Sequence, residues 1–312
     1  MEGERILSDR VRTTLLPLLA AFIWGVAFVA QKGNTTGPLA FNASRAIVAF
    51  LFLLVVILVM NKGDVRHVLR EDTRENTRTL WLGGLCCGLA LSFATFLQQY
   101  GLDGSTEAGK ASFLTAMYIV LVPLLGIPLK RRASLSVWIS VVIAVVGLYL
   151  LCVKEGTVIR PDDLVVLACS FVFAVHIMVI DHFAPKVNGI KLSCIQFLVV
   201  FVSSAVLSLV LEQPKLADIQ ASLVPILYLG IMSSGVAYTL QIVAQRNANP
   251  TVLTMLLSME SVFGVLAGAV VLGEVLSTRE YLGCILMFAA VVLAQIPTEK
   301  LAQLIKRKQS NQ

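Results

Sequence analysis

The chain of 312 residues contains ten long stretches that are almost free of charged side chains. Nine of them contain no Asp, Glu, Lys or Arg, and the tenth is interrupted only by Glu260. A transmembrane helix needs about 20 mostly apolar residues, which is close to the length of these stretches. Charged residues make up only 14% of the chain, against roughly 25% in soluble domains, which excludes an ordinary soluble enzyme. The stretches are 13–31, 46–61, 79–102, 111–129, 133–153, 164–180, 192–211, 219–245, 247–273 and 281–298.

We therefore predict an all-α integral membrane protein with ten transmembrane helices. The second helix is expected to begin near Leu39, just after Pro38, because Arg45 shortens its charge-free run. Two successive halves of five helices must enter the membrane with opposite orientation, since five is odd. This is the inverted-repeat plan of many transporters. The predicted repeats cover 13–153 and 162–296, followed by a basic cytoplasmic tail at 297–312.

A shift of 143 residues overlays part of the two halves. Gln98 then falls on Gln241, and Thr115 falls on Ser258. The glutamine match is the informative one, because a polar side chain within a span is costly in lipid. The overlay supports an internal repeat.

Lysine and arginine are distributed unequally between the two predicted membrane faces. Ten spans put both termini on one face, which carries eighteen of these residues, against six on the other. Positive charge concentrates in cytoplasmic loops, so both termini are expected to be cytoplasmic, in a multi-pass protein of the cell membrane. The net charge of +6 and the pI near 9.1 then reflect topology, and no nucleic-acid partner is expected.

Other functional classes lack their sequence signatures. The six cysteines form no C-x-x-C pair, and all lie in apolar runs, so neither a disulfide framework nor a zinc site is expected. There is no H-E-x-x-H motif and no P-loop. We expect no metal, no cofactor and no enzymatic activity. An intramembrane enzyme or a channel remains the alternative of another class, although no selectivity-filter pattern is visible.

Several short motifs resemble the EamA-type members of the drug/metabolite transporter superfamily. Their order along the chain is Trp24-Gly25 with Phe28-Val29 and Lys32, then Arg45, then the run 257–263, then Leu272-Gly273-Glu274 followed by Gly283. The first half has Leu129-Lys130-Arg131 where the second has Leu-Gly-Glu, so the halves have diverged. The resemblance implies a ten-helix carrier of small metabolites that works by alternating access without a prosthetic group.

Glu260 is the strongest functional candidate. It follows Thr251 by nine residues, about 14 Å along a helix, which places it near the middle of a roughly 30 Å membrane core. A carboxylate there costs at least about 2.5 kcal/mol, so it should face a cavity or a partner. It either binds a substrate amine or couples transport to protons, or it is a hydrogen-bonded packing residue.

Four glycines are predicted to pack helices together. Gly264 and Gly268 follow Glu260 at four and eight residues and form a stripe of small residues on its helix face. Gly84 and Gly88 have the same spacing in the third helix. The stripe indicates that Glu260 points into the bundle.

Other polar residues within the spans have two interpretations each. Arg45 can bind a carboxylate bidentately through two of its guanidinium nitrogens, or it extends to the interface or forms a structural ion pair. His176 takes part in substrate binding or proton relay, or it is a hydrogen-bonded core residue. Gln98 and Gln241 bind a polar part of the solute or bond between helices. Weaker candidates are Gln245, Thr115, Tyr118, Tyr238 and Trp24.

The expected substrate follows from the two charged residues within the spans, Glu260 and Arg45. One acid and one base suit an amino acid or a similar small polar solute, with a cationic or lipophilic drug as the alternative. Export and proton coupling are the expected mode. The expected partners are the substrate, the lipid bilayer and protons, with a homodimer left open.

Glu107 and Lys110 are expected to pair with each other at the outer end of the fourth helix.

Overall fold

The structure, a computed structural model, describes residues 2–32, 36–64, 68–131, 133–154, 158–272 and 275–296. Within these ranges, the side-chain surroundings of residues 2–11, 28–29, 32, 108, 268 and 271–272 are not described. The predicted basic tail at 297–312 lies outside the described residues. So do Gly273 and Glu274 of the helix-end motif, and the surroundings of Gly268 are likewise not described.

The described residues form ten long helical elements, α1 to α10, and contain no β-strand. Three of these elements, α4, α8 and α9, consist of successive segments. A short helix, Leu216–Ala221, precedes α8. The elements are α1 Glu2–Lys32, α2 Pro38–Met60, α3 Arg74–Asp103, α4 Ala108–Thr115 with Tyr118–Gly126, α5 Leu135–Cys152, α6 Pro161–Phe183, α7 Gly189–Leu211, α8 Leu223–Tyr228 with Leu229–Ala237 and Tyr238–Gln245, α9 Pro250–Leu257 with Glu260–Leu272, and α10 Thr278–Ala294.

Length and hydropathy identify eight of these elements as candidate membrane spans. The eight from α2 to α9 each include a segment long and apolar enough to cross a membrane, and α1 includes a shorter apolar segment, Arg12–Ala27. The remaining helix, α10, has 17 residues. The prediction of an all-α membrane protein built from two five-helix inverted repeats is confirmed.

Local sequence explains where several helices begin. Pro38 occupies the first turn of α2, where a missing N–H costs nothing. The N–H groups of Leu39 and Ala40, which have no acceptor within the helix, donate to the Glu212 carboxylate at 2.8 and 2.7 Å. That carboxylate, at the end of α7, therefore caps α2 and joins the two repeats. Side-chain oxygens cap five other helices, and these residues are Thr73, Ser134, Asn188, Asn249 and Ser277.

The two repeats interlock through pairs of helices, one from each repeat. The most extensive contacts join α5 to α10, α2 to α7, and α3 to both α6 and α7. At the α5–α10 crossing, a Cβ on Gly147 would lie 3.0 Å from the Gly283 carbonyl oxygen, and one on Gly283 would lie 2.8 Å from the Gly147 oxygen. Only glycine allows backbones to approach this closely. The halves therefore form one bundle around a shared centre.

Two helices are broken at repeat-related positions. The first, α4, is interrupted at Ala116 and Met117, and α9 is interrupted at Ser258 and Met259. Both interruptions contain tighter backbone bonds that span three residues, such as Met117 N to the Leu114 oxygen and Met259 N to the Leu256 oxygen, each 3.2 Å. Non-helical backbone at membrane depth is tolerated only inside protein or beside a cavity.

Candidate functional site

A cavity lies between the two repeats, beside the two helix breaks. Its wall comes from α1 to α4 of the first repeat and from α6, α8 and α9 of the second. The volume of the cavity is about 50 Å³, which is room for a few waters. A solute larger than a few waters therefore requires the walls to move. The lining residues are Trp24, Ala27, Gln31, Arg45, Gln98, Thr115, Tyr118, Phe173, His176, Ile177, Ser233, Tyr238, Gln241, Leu257 and Glu260.

Nine of the ten candidate residues drawn from the sequence line this cavity. The exception is Gln245, whose amide nitrogen donates to the Ile177 carbonyl oxygen. Its side-chain oxygen accepts a bond of 3.5 Å from Gln241, which does line the cavity. Gln245 thus supports a cavity residue instead of facing the cavity itself.

Glu260 and Tyr118 meet across the cavity, each just after a helix break. Glu260 begins the second segment of α9, and Tyr118 begins the second segment of α4. The Tyr118 hydroxyl donates to Glu260 Oε1 over 3.5 Å, which is long for a bond to a carboxylate. Glu260 is 5% exposed, and a helix N-terminus is a favourable place for its negative charge. A cationic group of a solute can therefore approach a carboxylate that protein hydrogen bonds satisfy only weakly.

Arg45 brings the positive charge to the same cavity. It is 6% exposed, and its Nε donates to Asn42 Oδ1 at 2.9 Å. Asn42 in turn donates to Thr95 Oγ1 at 2.7 Å and to Ser204 Oγ at 3.3 Å, so α2, α3 and α7 together hold the Arg45 side chain. This buried position does not fit an Arg45 side chain that extends to the membrane interface.

The repeat-related glutamines lie on the wall in different settings. Gln98 donates to Thr115 Oγ1 at 3.2 Å, which joins α3 to the first segment of α4. Gln241 donates to Gln245, one turn further along α8. Gln98 therefore forms an interhelical bond and also lines the cavity. The described bond of Gln241 stays within its own helix.

Aromatic rings form one side of the cavity. Trp24 and Tyr238 pack edge to face with centroids 4.7 Å apart, and Trp24 Nε1 donates to the Ser233 carbonyl oxygen at 3.3 Å. Ser233 belongs to the segment Leu229–Ala237, where α8 is a π-helix. Such segments are rare and often occur at functional sites. The widened turn places a backbone oxygen opposite Trp24.

His176 is fully buried and lines the cavity. Its Nε2 lies 2.9 Å from Gln196 Oε1 on α7, and its ring packs edge to face on Tyr238. His176 is therefore a hydrogen-bonded core histidine that also forms part of the wall.

The glycines of the predicted stripes contact neighbouring helices closely. A Cβ on Gly264 would lie 3.2 Å from the carbonyl oxygen of Gly25 in α1. On Gly84 it would lie 2.3 Å from the Ile195 side chain, and on Gly88 2.5 Å from that of Val199. These glycines thus allow α9 to approach α1, and α3 to approach α7.

Ion pairs join α4 to α6 at both ends. Lys110 Nζ lies 2.9 Å from Asp163 Oδ2 and donates to the Val158 carbonyl oxygen at 3.0 Å. The expected Glu107–Lys110 pair is thus wrong among the described residues: the start of α6 supplies a buried carboxylate to Lys110, while Glu107 is exposed. At the opposite end, Arg131 pairs with Asp181 beside a second cavity that Asn249 and Thr251 also line.

Sequence analysis missed several residues of the site. Gln31 follows Trp24 by seven residues, which is the same helix face, so helical periodicity could have identified it. Asn42 precedes Arg45 by about one turn and could have been found in the same way. No sequence signal marks Ser233, because the π-helix brings it to the wall, or Gln196, whose partner comes from another helix.

Two interlocked five-helix repeats around a central polar cavity define a multi-pass membrane protein of the carrier type. The model of the EamA-like transporter family matches the chain twice, over residues 12–153 and 161–295. The chain belongs to this family, which is part of the drug/metabolite transporter superfamily. It is a membrane transporter.

Individual relatives agree with this assignment. An "uncharacterized transporter" of Archaeoglobus fulgidus is 28% identical over 286 residues, which cover 89% of this chain and 84% of the relative. The "uncharacterized transporter YwfM" of Bacillus subtilis is 24% identical over 92% of this chain and 95% of its own length. A solved crystal structure has the same fold, with a TM-score of 0.74 at 17% identity, over 93% of this chain and 98% of that chain.

Proposed function

We propose that the protein is a secondary transporter that moves an amino acid or a similar small polar solute across the cytoplasmic membrane by alternating access. The observation that carries this proposal is that one buried acid, Glu260, and one buried base, Arg45, line a single cavity between the repeats. A zwitterion satisfies both charges at once. A phosphorylated solute would require several convergent basic side chains, and Arg45 is the one Lys or Arg among the described lining residues.

In this proposal, each charged end of the solute has its own partner. The planar guanidinium of Arg45 binds the carboxylate, and Asn42 holds that guanidinium in place. Glu260 binds the ammonium group, with Tyr118 beside it. Gln98 and Gln241 offer donors and acceptors to the uncharged part of the solute.

Export and proton coupling complete the proposal. The excess of Lys and Arg on the terminal face supports cytoplasmic termini, so the Lys110–Asp163 pair lies at the outer end of α4 and α6. Glu260 is the group that would carry the proton, because a buried carboxylate can exchange a proton and a solute cation at one position.

A cationic or lipophilic drug is the second candidate cargo. Four aromatic side chains line the cavity together with Glu260, and aromatic faces attract cations. The four are Trp24, Tyr118, Phe173 and Tyr238. This cargo would need Glu260 but not Arg45, so an Arg45→Gln variant separates the two candidates.

The test of the proposed function compares metabolites released into the medium by cells that express the wild type, Glu260→Ala or no transporter, at matched surface levels. We expect a small set of amino acids or similar solutes to rise with the wild type and to return to the background level with Glu260→Ala. A profile equal to that of the empty cells contradicts export of a common metabolite. If a drug-like cation is the only compound whose release depends on Glu260, the second candidate is supported.

The buried Lys110–Asp163 pair leads to a prediction about access. Replacing Asp163 by asparagine leaves the Lys110 ammonium buried without its counter-charge, which is strongly unfavourable. The outer end should therefore open more often. We expect a cysteine placed at Ser233 to react at least about tenfold faster with an impermeant thiol reagent added from the outside, since 1.4 kcal/mol already gives that factor.

The control for this experiment is Glu107→Gln, which removes an exposed carboxylate at the same end of α4. It should leave the reaction rate unchanged. The cysteine placed at Ser233 can instead react equally fast in Asp163→Asn and in the chain with native Asp163, whichever side the reagent is added to. That result would contradict the idea that this ion pair closes the outer end.

A further inference from the structure

Two buried side chains on the cavity wall have polar atoms without hydrogen-bond partners. Gln31 is 6% exposed, and its Oε1 accepts no bond from the residues that the structure describes. His176 is fully buried, and its Nδ1 likewise has no partner in the described part of the chain. Both side chains line the cavity, one from each repeat. They are separate from the acid and the base that hold the charged ends in the proposed function.

Unpaired polar atoms of this kind point to a ligand. Buried donors and acceptors in native proteins are almost always hydrogen-bonded, because an unpaired one forfeits its bond to water. Here the cavity admits only a few waters when it is empty of solute. A solute that enters and displaces these waters must therefore supply hydrogen bonds itself or leave both atoms unpaired.

The chemistry of the two atoms specifies the kind of group that fits. A carbonyl oxygen such as Gln31 Oε1 is only an acceptor. His176 Nε2 bonds to the side-chain amide of Gln196, and Nδ1 donates or accepts according to which ring nitrogen carries the proton. Gln196 on α7 holds the His176 ring in place. An amide oxygen and a ring nitrogen that takes either role call for a group that both donates and accepts hydrogen bonds.

We propose that Gln31 and His176 determine specificity for the side group of the solute and select one that carries a hydroxyl or a primary amide. A hydroxyl and a primary amide each donate and accept hydrogen bonds, so either group offers a partner to Gln31 Oε1 and to either tautomer of His176. An aliphatic side group of the same size leaves both atoms unpaired. This inference rests on the proposed function, because Glu260 and Arg45 hold the amino-acid backbone while the side group meets this wall.

The experiment uses the purified full chain in liposomes and two pairs of solutes that match in size, threonine with valine and asparagine with leucine. We expect the wild type to transport the polar member of each pair at least about tenfold more efficiently, since sites built to bond a hydroxyl or amide strongly reject analogues that lack it. Gln31→Met and His176→Phe should move both ratios towards one, mainly by slowing the polar solutes.

Three controls separate specificity from damage to the fold. Transport of valine by each variant reports on folding, because the proposed wall makes no bond to it. His176→Asn keeps a polar atom near the position of Nδ1 and should restore part of the preference. Gln99→Met removes a buried glutamine that is outside the cavity wall and bonds to Asp103, and it should leave the ratios unchanged.

The possible failures are distinguishable. Equal transport of both members of each pair by the wild type, or an unchanged preference in Gln31→Met and His176→Phe, overturns the specificity proposal and leaves the proposed function standing. If the wild type transports none of the four amino acids, the zwitterion cargo itself is overturned, and the specificity proposal with it.

Discussion

Replacing Glu260 by glutamine is expected to abolish accumulation driven by a pH gradient while exchange of solute across the membrane continues. Glutamine has nearly the same shape as glutamate and keeps a hydrogen-bond acceptor for Tyr118, but it cannot carry a proton. In liposomes with a pH difference, the wild type should concentrate the solute, whereas the variant should only bring it to equal concentrations on both sides. Counterflow of labelled solute should persist at raised solute concentration, because the glutamine oxygen still accepts a bond from the ammonium group, although more weakly, and counterflow requires no proton.

Two comparisons make the result specific to this carboxylate. Glu107→Gln removes an exposed carboxylate at the end of α4 and should behave like the wild type. Tyr118→Phe removes only a long bond and should lower the rate by a few-fold at most, by about 1 kcal/mol or less. Accumulation by Glu260→Gln that still follows the pH gradient would contradict proton coupling through Glu260.

Replacing Gly25 by alanine is expected to prevent correct assembly of the bundle. A Cβ at this position would lie 2.6 Å from the Glu260 carbonyl oxygen and 2.7 Å from the Gly264 backbone nitrogen. Both atoms belong to backbone, so relief requires α1 and α9 to separate. The separation would also displace Glu260 from the cavity. We expect most of the folded, monodisperse protein to be lost in detergent, and transport by the remainder to fall below detection.

Other glycines provide graded controls for this substitution. Gly264→Ala places its Cβ 3.2 Å from the Gly25 oxygen, a contact that a shift of a few tenths of an ångström relieves, so its effect should be smaller. Gly109→Ala meets only the Cys152 carbonyl oxygen, at 3.3 Å, and should be nearly neutral. Equal yields of Gly25→Ala and Gly109→Ala would show that close approach of α1 and α9 is not required.

The spans and much of the cavity wall follow from sequence because they depend on the cost of polar groups in lipid. That cost makes each run of uncharged residues a helix, and it makes a buried Glu260, Arg45 or Gln98 turn away from lipid. The start of α2 at Pro38 is similarly local, since proline fits the first turn of a helix.

Features that depend on two distant segments could not be predicted in this way. Lys110 has Glu107 within reach on its own helix, yet it binds Asp163, which only the packing of α4 against α6 brings near. Gln196 is indistinguishable in sequence from any other polar residue of α7 until His176 is placed beside it. The break in α4 at Ala116 and Met117 contains neither proline nor glycine, so no residue type signals it.

The residues that follow the two helix breaks have a consequence for the origin of such carriers. Glu260 begins the second segment of α9 and Tyr118 begins the second segment of α4, so a carboxylate follows one break and a phenol follows the other. A carrier assembled from two identical five-helix subunits would carry the same residue at both breaks, and two facing carboxylates would repel each other. Joining both repeats in one gene removes that constraint. Each half can then mutate alone, and the central site can hold a single negative charge.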